Sequence, residues 1–152
     1  MSLFLDQDLA NKALERSRPT IEQILVHNAK REDLYITIGR RDENGSFWRI
    51  ARDTFGNVNE WDHDYEEIAT KKAALTARTG LSSREVQLLH PELLQPGDTS
   101  FWGSVISGDV IVAASGVEPY IDEACAKIAL AIGLMLIEHK IVYLRTQGDS
   151  FS

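Results

Sequence analysis

Lys72 falls on an apolar stripe. Trp61, Tyr65, Ile68 and Leu75 recur at spacings that put them on one face of a helix, and Lys72 occupies the position between Ile68 and Leu75 on that face. An ammonium on a buried stripe is costly unless it is paired or faces a ligand. It is read either as a cation that meets the carboxylate of a bound molecule or as a long side chain running along apolar surface to water or an acid. Ser115-Gly116 follows an apolar run and precedes a helix, so the backbone N–H groups of residues 115–117 and the helix N-terminus can cradle an anion. Asp122 caps or charges the first turn of that helix. Arg40 and Arg41 end an alternating segment and, with Lys72 and the 115–117 turn, would complete a pocket for an anionic ligand. Trp48 and Trp102, each near the middle of a hairpin, can wall such a pocket; the preferred reading makes them core or interface aromatics.

The remaining reactive residues point less far. His63 lies among Asp62, Asp64, Glu66 and Glu67, a cluster that can attract a cation, although a helix N-terminus collects acids without any metal. His90 precedes Pro91 in a loop, and His139 stands where it offsets the dipole of the last helix. The absence of a Gly-x-Ser-x-Gly elbow excludes a hydrolase of that type.

These residues need a scaffold, and its elements are legible. Residues 1–16, from Leu3, Phe4 and Leu5, make a short helix. A second helix is capped by Ser17 or Thr20, with Pro19 in its first turn and Ile21, Ile24 and Leu25 on its buried face. Leu34, Ile36 and Ile38 alternate with Tyr35 and Thr37 as a strand reaching Arg40 and Arg41. Asp42-Glu-Asn-Gly45 supplies a tight turn, Phe47 to Ala51 returns, and 53–60 is a loop. Asp62 or Asp64 starts a long helix that stops at Gly80, with acids first and Lys71, Lys72 and Arg78 later, in the order the helix dipole favours. Ser82 or Ser83 opens a short helix to Leu89, which His90-Pro91 breaks. Phe101–Ile106 and Asp109–Ser115 form a second hairpin. The last helix begins at Pro119 and Asp122, runs to about His139 and is apolar nearly all round, as for burial between a sheet and a subunit partner. Ile141–Leu144 is read as a final edge strand, with a frayed tail after Gln147. Two antiparallel hairpins separated by a helix argue for one mainly antiparallel sheet with helices packed on it, an α+β fold.

A chain of 152 residues suits one domain with a real core. A net charge of −7 argues against general affinity for nucleic acid or anionic membranes. The single cysteine, Cys125, excludes an internal disulfide and a structural zinc cluster. The longest apolar run, Ile128–Ile137, is too short to span a bilayer and no secretory leader is apparent, so a cytoplasmic protein without membrane contact is expected.

Three segments carry a family resemblance: Ile68-Ala-x-x-Lys-Ala with Thr76-Ala77, Gly80-Leu-Ser-Ser83, and Gly103 to Ala124, which includes Gly108-Asp-Val-Ile-Val-Ala-Ala-Ser-Gly-Val117 and Asp122-Glu-Ala124. Together they resemble the HbpS/GlcG-like family, the haem-degrading domain proteins, which include the PduO C-terminal-like domains. The resemblance implies a profilin-like fold with a mainly antiparallel five-stranded sheet flanked by helices. It also implies a homo-oligomer, a dimer or larger ring, that binds haem or another anionic tetrapyrrole-like molecule; a haem-degrading enzyme and an oligomeric module without a ligand are the alternatives. Family members that bind haem use a histidine and in some cases a cysteine, which makes His27 and Cys125 the candidate iron ligands. A packed thiol and a solvated helix-end histidine are their plain readings. The chain departs from the family pattern at Phe101-Trp-Gly-Ser-Val105 and Ile36-Thr-Ile-Gly-Arg-Arg41.

Overall fold

The elements follow in the order α1 (Gln7–Asn28), β1 (Leu34–Arg41), β2 (Phe47–Phe55), α2 (Tyr65–Thr79), α3 (Ser83–Leu89), β3 (Ser104–Ser107), β4 (Val110–Ser115) and α4 (Pro119–Thr146). A computed structural model describes residues 5–148; Leu3 and Phe4 of the expected first helix lie outside them. Asp6 opens α1 by accepting the Leu9 amide at 2.9 Å. The expected break between two helices does not occur. Leu9, Ala10, Ala13, Leu14, Ser17, Ile21 and Leu25 form one continuous buried face across Pro19, and burying that face outweighs the backbone hydrogen bond that proline removes. Ser17 is no cap: its hydroxyl donates to the Leu14 carbonyl at 3.0 Å.

The sheet has the order β2-β1-β4-β3 with every neighbouring pair antiparallel. It therefore has four strands where five were expected, because Ile141–Leu144 continue α4. No glycine or proline interrupts residues 134–147, and Leu136 and Ile137 are buried against the core, so the helix propagates past the β-branched pair Ile141-Val142. At the other edge β2 outlasts the expected boundary. Phe55 is 3% exposed, stands opposite Leu34 and carries the Arg18 guanidinium over its ring at 4.2 Å, which anchors residues 53–55 as strand.

Three layers result. Val110, Val112 and Ala114 of β4, with Leu34, Ile36 and Ile38 of β1, face α1 and α4 in the larger core. Ile111 and Ala113, with Tyr35, face the opposite way onto Ala69, Ala73 and Ala77 of α2. This is the period-two alternation of a strand covered on both sides. The outer surface of α4 keeps Met135, Val142 and Tyr143 about half exposed.

Helix α2 starts where Asp64 accepts the Glu67 amide at 3.0 Å and ends at Gly80. The short α3 is capped by Ser82, and Ser83 behind it acts as a clasp: its hydroxyl oxygen accepts the amides of Gly103 and Ser104, each at 3.0 Å. Ser104 in turn donates to the Lys72 carbonyl at 2.8 Å and lies 2.6 Å from the Thr76 hydroxyl. A buried polar chain thus ties α3 and the entry of β3 to α2. Ser83→Ala leaves two buried amides without an acceptor and is expected to cost about 2–3 kcal/mol of unfolding free energy in urea titrations. A loss within experimental error would assign those amides another acceptor.

Candidate functional site

Tyr65, Ile68 and Lys72 fall at i, i+3 and i+7 on α2 and form one wall of a cavity of about 210 Å³. The end of β4 and the following turn, Ser115–Val117, form the second wall, and Asp122 in the first turn of α4 closes the floor. Arg31 from the α1–β1 connection, His63 before α2 and Phe101 before β3 complete the lining.

Lys72 is 0% exposed. Its ammonium donates to the Ala114 carbonyl at 2.8 Å and to Asp122 Oδ2 at 3.1 Å, while Asp122 Oδ1 accepts the Val117 amide at 3.1 Å. Asp122 is thus more than a helix-start charge: it pins the turn after β4 and pairs the lysine. Burial drives both partners toward neutrality. It pushes the Lys72 ammonium below the usual lysine range, against the pull of Asp122. It pushes Asp122 up to about 6, against the pull of Lys72 and of the Val117 amide. An ammonium has three donors, and two of them have acceptors here. Gly103 packs so near this pair that a Cβ there would stand 2.9 Å from Lys72 Nζ.

The Tyr65 hydroxyl is buried and has no hydrogen-bond partner among the described residues. Desolvation pushes its pKa up, opposed by Arg31, whose guanidinium lies 5.9 Å from the ring centroid. His63 makes an edge contact with the same ring at 6.1 Å, and Arg31 Nη1 reaches Asp62 at 3.5 Å on the exposed rim.

The structure brings Lys72, Ser115, Gly116 and Asp122 to this cavity and places the other sequence candidates elsewhere. Tyr35 of β1 stands opposite Ser115, whereas Arg40 stands opposite Val110. Five residues of strand separate the arginines from the cavity end of the sheet by about 17 Å. Arg40 and Arg41 instead line an open depression with Asp42, Glu43, Asn44, Trp48 and Asp109. Arg41 Nε donates to the Ala77 carbonyl near the end of α2, where a cation offsets the helix dipole. Trp48 is 60% exposed and donates its indole N–H to Asp42 at 2.6 Å. Trp102 lies outside the cavity lining, with its indole nitrogen buried and unpartnered among the described residues. The Val117 amide, expected to help cradle an anion, is already taken by Asp122.

His27 and Cys125 do not converge. His27 is exposed in the last turn of α1, 3.2 Å from Gln23. Cys125 is fully buried in the larger core one turn beyond Asp122, and burial pushes its thiol up to about 12, which keeps it protonated. Neither residue lines the cavity, and 210 Å³ lies below the roughly 300–1,000 Å³ of pockets that hold drug-sized ligands. These residues do not fit a haem. Among the described residues no group of three or more His, Cys, Asp and Glu is placed to hold a metal ion. No described helix is long and apolar enough to cross a membrane.

Neither a family model nor a curated protein matches the sequence. Among solved structures, the crystal structure of Klebsiella pneumoniae protein ORFY, of the DUF336 family, superposes with a TM-score of 0.54 at 16% identity, over 80% of this chain and 88% of that one. The fold of this chain is similar to the fold of that protein. Two of the three resemblance segments meet at the cavity: the α2 motif supplies Lys72, and the last segment supplies Ser115, Gly116 and Asp122. Arg31, Tyr65, His63 and Phe101 were not among the predicted site residues. Tyr65 and Ile68 belong to the same stripe as Lys72 and could have been grouped with it, whereas nothing in the order of the chain ties Arg31 to that stripe.

Proposed function

We propose that this chain is a binding protein for a compact anionic molecule, held between Lys72, Tyr65 and Arg31. The observation that carries the reading is Tyr65, which lines the cavity beside Lys72 and Asp122 and whose buried hydroxyl has no partner among the described residues. Leaving such a hydroxyl unpaired costs about 1–3 kcal/mol, which a ligand oxygen would recover. The third donor of Lys72 supports the same ligand chemistry, a carboxylate or carbonyl oxygen. Arg31 at the rim can meet a negative charge, and Ile68, Phe101 and Val117 offer apolar contact to a short carbon skeleton. The cavity volume favours a small organic acid over a tetrapyrrole.

Titration of the protein with a panel of two- to six-carbon carboxylates, followed by NMR, tests the proposal. Saturable shifts at Tyr65, Ile68 and Val117 are expected, with affinity about tenfold weaker in Arg31→Ala and in Tyr65→Phe. Haemin serves as the opposing probe. A saturable Soret band that is lost in His27→Ala, with no response to carboxylates, overturns the proposal in favour of haem.

A further inference from the structure

The ligand reading leaves one chemical feature of the cavity unused: its wall holds a primary amine. Lys72 Nζ is fixed from two sides, by the Ala114 carbonyl and by Asp122 Oδ2, and its side chain is 1% exposed. Rigid placement of this kind holds a nucleophile in one direction, with one bonding position left over. An acid–base partner stands 3.1 Å away in Asp122, and Tyr65, whose buried hydroxyl is unpaired among the described residues, lines the same cavity. The exposed Lys71, next in the chain, lacks this enclosed, two-sided placement: it pairs with Glu67 at 3.4 Å in an open i,i+4 contact.

We infer that Lys72 condenses reversibly with the carbonyl carbon of a small 2-oxo acid admitted to the cavity, while Arg31 attracts the carboxylate of that acid. This inference rests on the proposed ligand site and names its substrate class. The ammonium of Lys72 gives a proton to the Asp122 carboxylate. The freed nitrogen lone pair forms the N–C bond as the carbonyl π bond breaks, and the carbonyl oxygen takes a proton from Asp122 or through the Tyr65 hydroxyl. The second N–H proton and the hydroxyl then leave as water, and the C=N bond forms. Amine and carbonyl give imine and water, with no oxidant or reductant consumed. Burial that disfavours the charged amine and the charged carboxylate together assists the first proton transfer.

Incubation of the whole protein with glyoxylate or pyruvate and cyanoborohydride, followed by peptide mapping, reads the step. Secondary-amine adducts are expected at Lys72 about tenfold ahead of Lys71, which serves as the internal reference. Tyr65→Phe, which keeps both lysines, is expected to lower the Lys72 adduct several-fold and leave the Lys71 adduct unchanged. Adducts spread over Lys12, Lys71, Lys127 and Lys140 but absent from Lys72, in protein whose NMR spectrum responds to the same acid, overturn the covalent step and leave the binding site standing. No response and no Lys72 adduct overturn both.

Discussion

Lys72→Met is expected to lower the free energy of unfolding by roughly 3–5 kcal/mol, because it strands the Asp122 carboxylate in a site where it is 1% exposed. Asp122→Leu is expected to cost a similar amount by stranding the ammonium, and it also releases the Val117 amide. The double variant Lys72→Met/Asp122→Leu removes both charges. It is expected to regain most of the loss, since a buried pair replaced by apolar side chains is often neutral or better. Urea denaturation of the four proteins measures this coupling; additive losses would mean that the two side chains act independently. The restored double variant is the decisive protein for function, because it should be folded and yet unable to bind carboxylates. Retained binding would make the pair a purely structural device.

The same pair carries a pH signature. Asp122, raised to about 6 from an unfolded value of 3.8, stabilises the fold at low pH, and that contribution is lost as pH rises through 6. Lys72 is shifted down, so its contribution is present above the unfolded value of 10.5 and is lost as pH falls through its lower folded value. Asp6 and Asp98, both held below the usual carboxylate range, slope the other way at acid pH. The difference between wild type and Asp122→Asn isolates the Asp122 contribution between pH 4 and 6 from theirs.

Gly103→Ala is expected to cost about 3 kcal/mol and to abolish carboxylate binding, whereas Gly97→Ala costs about 1 kcal/mol and leaves binding intact. Both glycines have positive φ, 151° and 94°. They differ in what a methyl group would meet. At Gly103 it stands 2.6 Å from the Ala114 carbonyl oxygen, 2.9 Å from Lys72 Nζ and 3.0 Å from the Asp122 Cβ; at Gly97 nothing lies within 4 Å. The carbonyl it would displace is the one that holds Lys72. Thermal melts with carboxylate titration separate the two effects, and equal losses at both glycines would reduce the Gly103 effect to backbone strain alone. This position lies inside Phe101-Trp-Gly-Ser-Val105, where the chain departs from its resembled family. That segment contributes Phe101 to the cavity lining and clears space for the lysine.

Local signals were readable where a single element decides them. The acids before α2 and Gly80 after it marked a helix whose ends the dipole and the cap set, and the structure starts it at Asp64 and stops it at Gly80. The alternation from Leu34 to Ile38 marked β1 for the same reason. Ser17 and Pro19 looked like a helix start because each residue favours one locally, yet α1 runs through them to bury one uninterrupted face. Ile141–Leu144 carried strand-like residues, but a strand needs a partner along its backbone, and those residues instead remain in a helix already anchored at Leu136 and Ile137.

For the site itself, the order of residues along the chain determined that Lys72 shares a helical stripe with Tyr65 and Ile68, since i, i+3 and i+7 positions face one way in any helix. It also determined that Ser115-Gly116 ends a strand ahead of Asp122. Only the tertiary structure decided which cations meet these residues. Arg40 and Arg41 look equivalent to Lys72 as charges, but sheet register carries them to the opposite end of β1, while Arg31, remote in sequence from α2, arrives at the rim. The pairing of Lys72 with Asp122 spans fifty residues of chain. Periodicity is a property of one element, whereas the partner of a buried charge depends on how three elements pack, and that is why the lysine could be singled out before its aspartate.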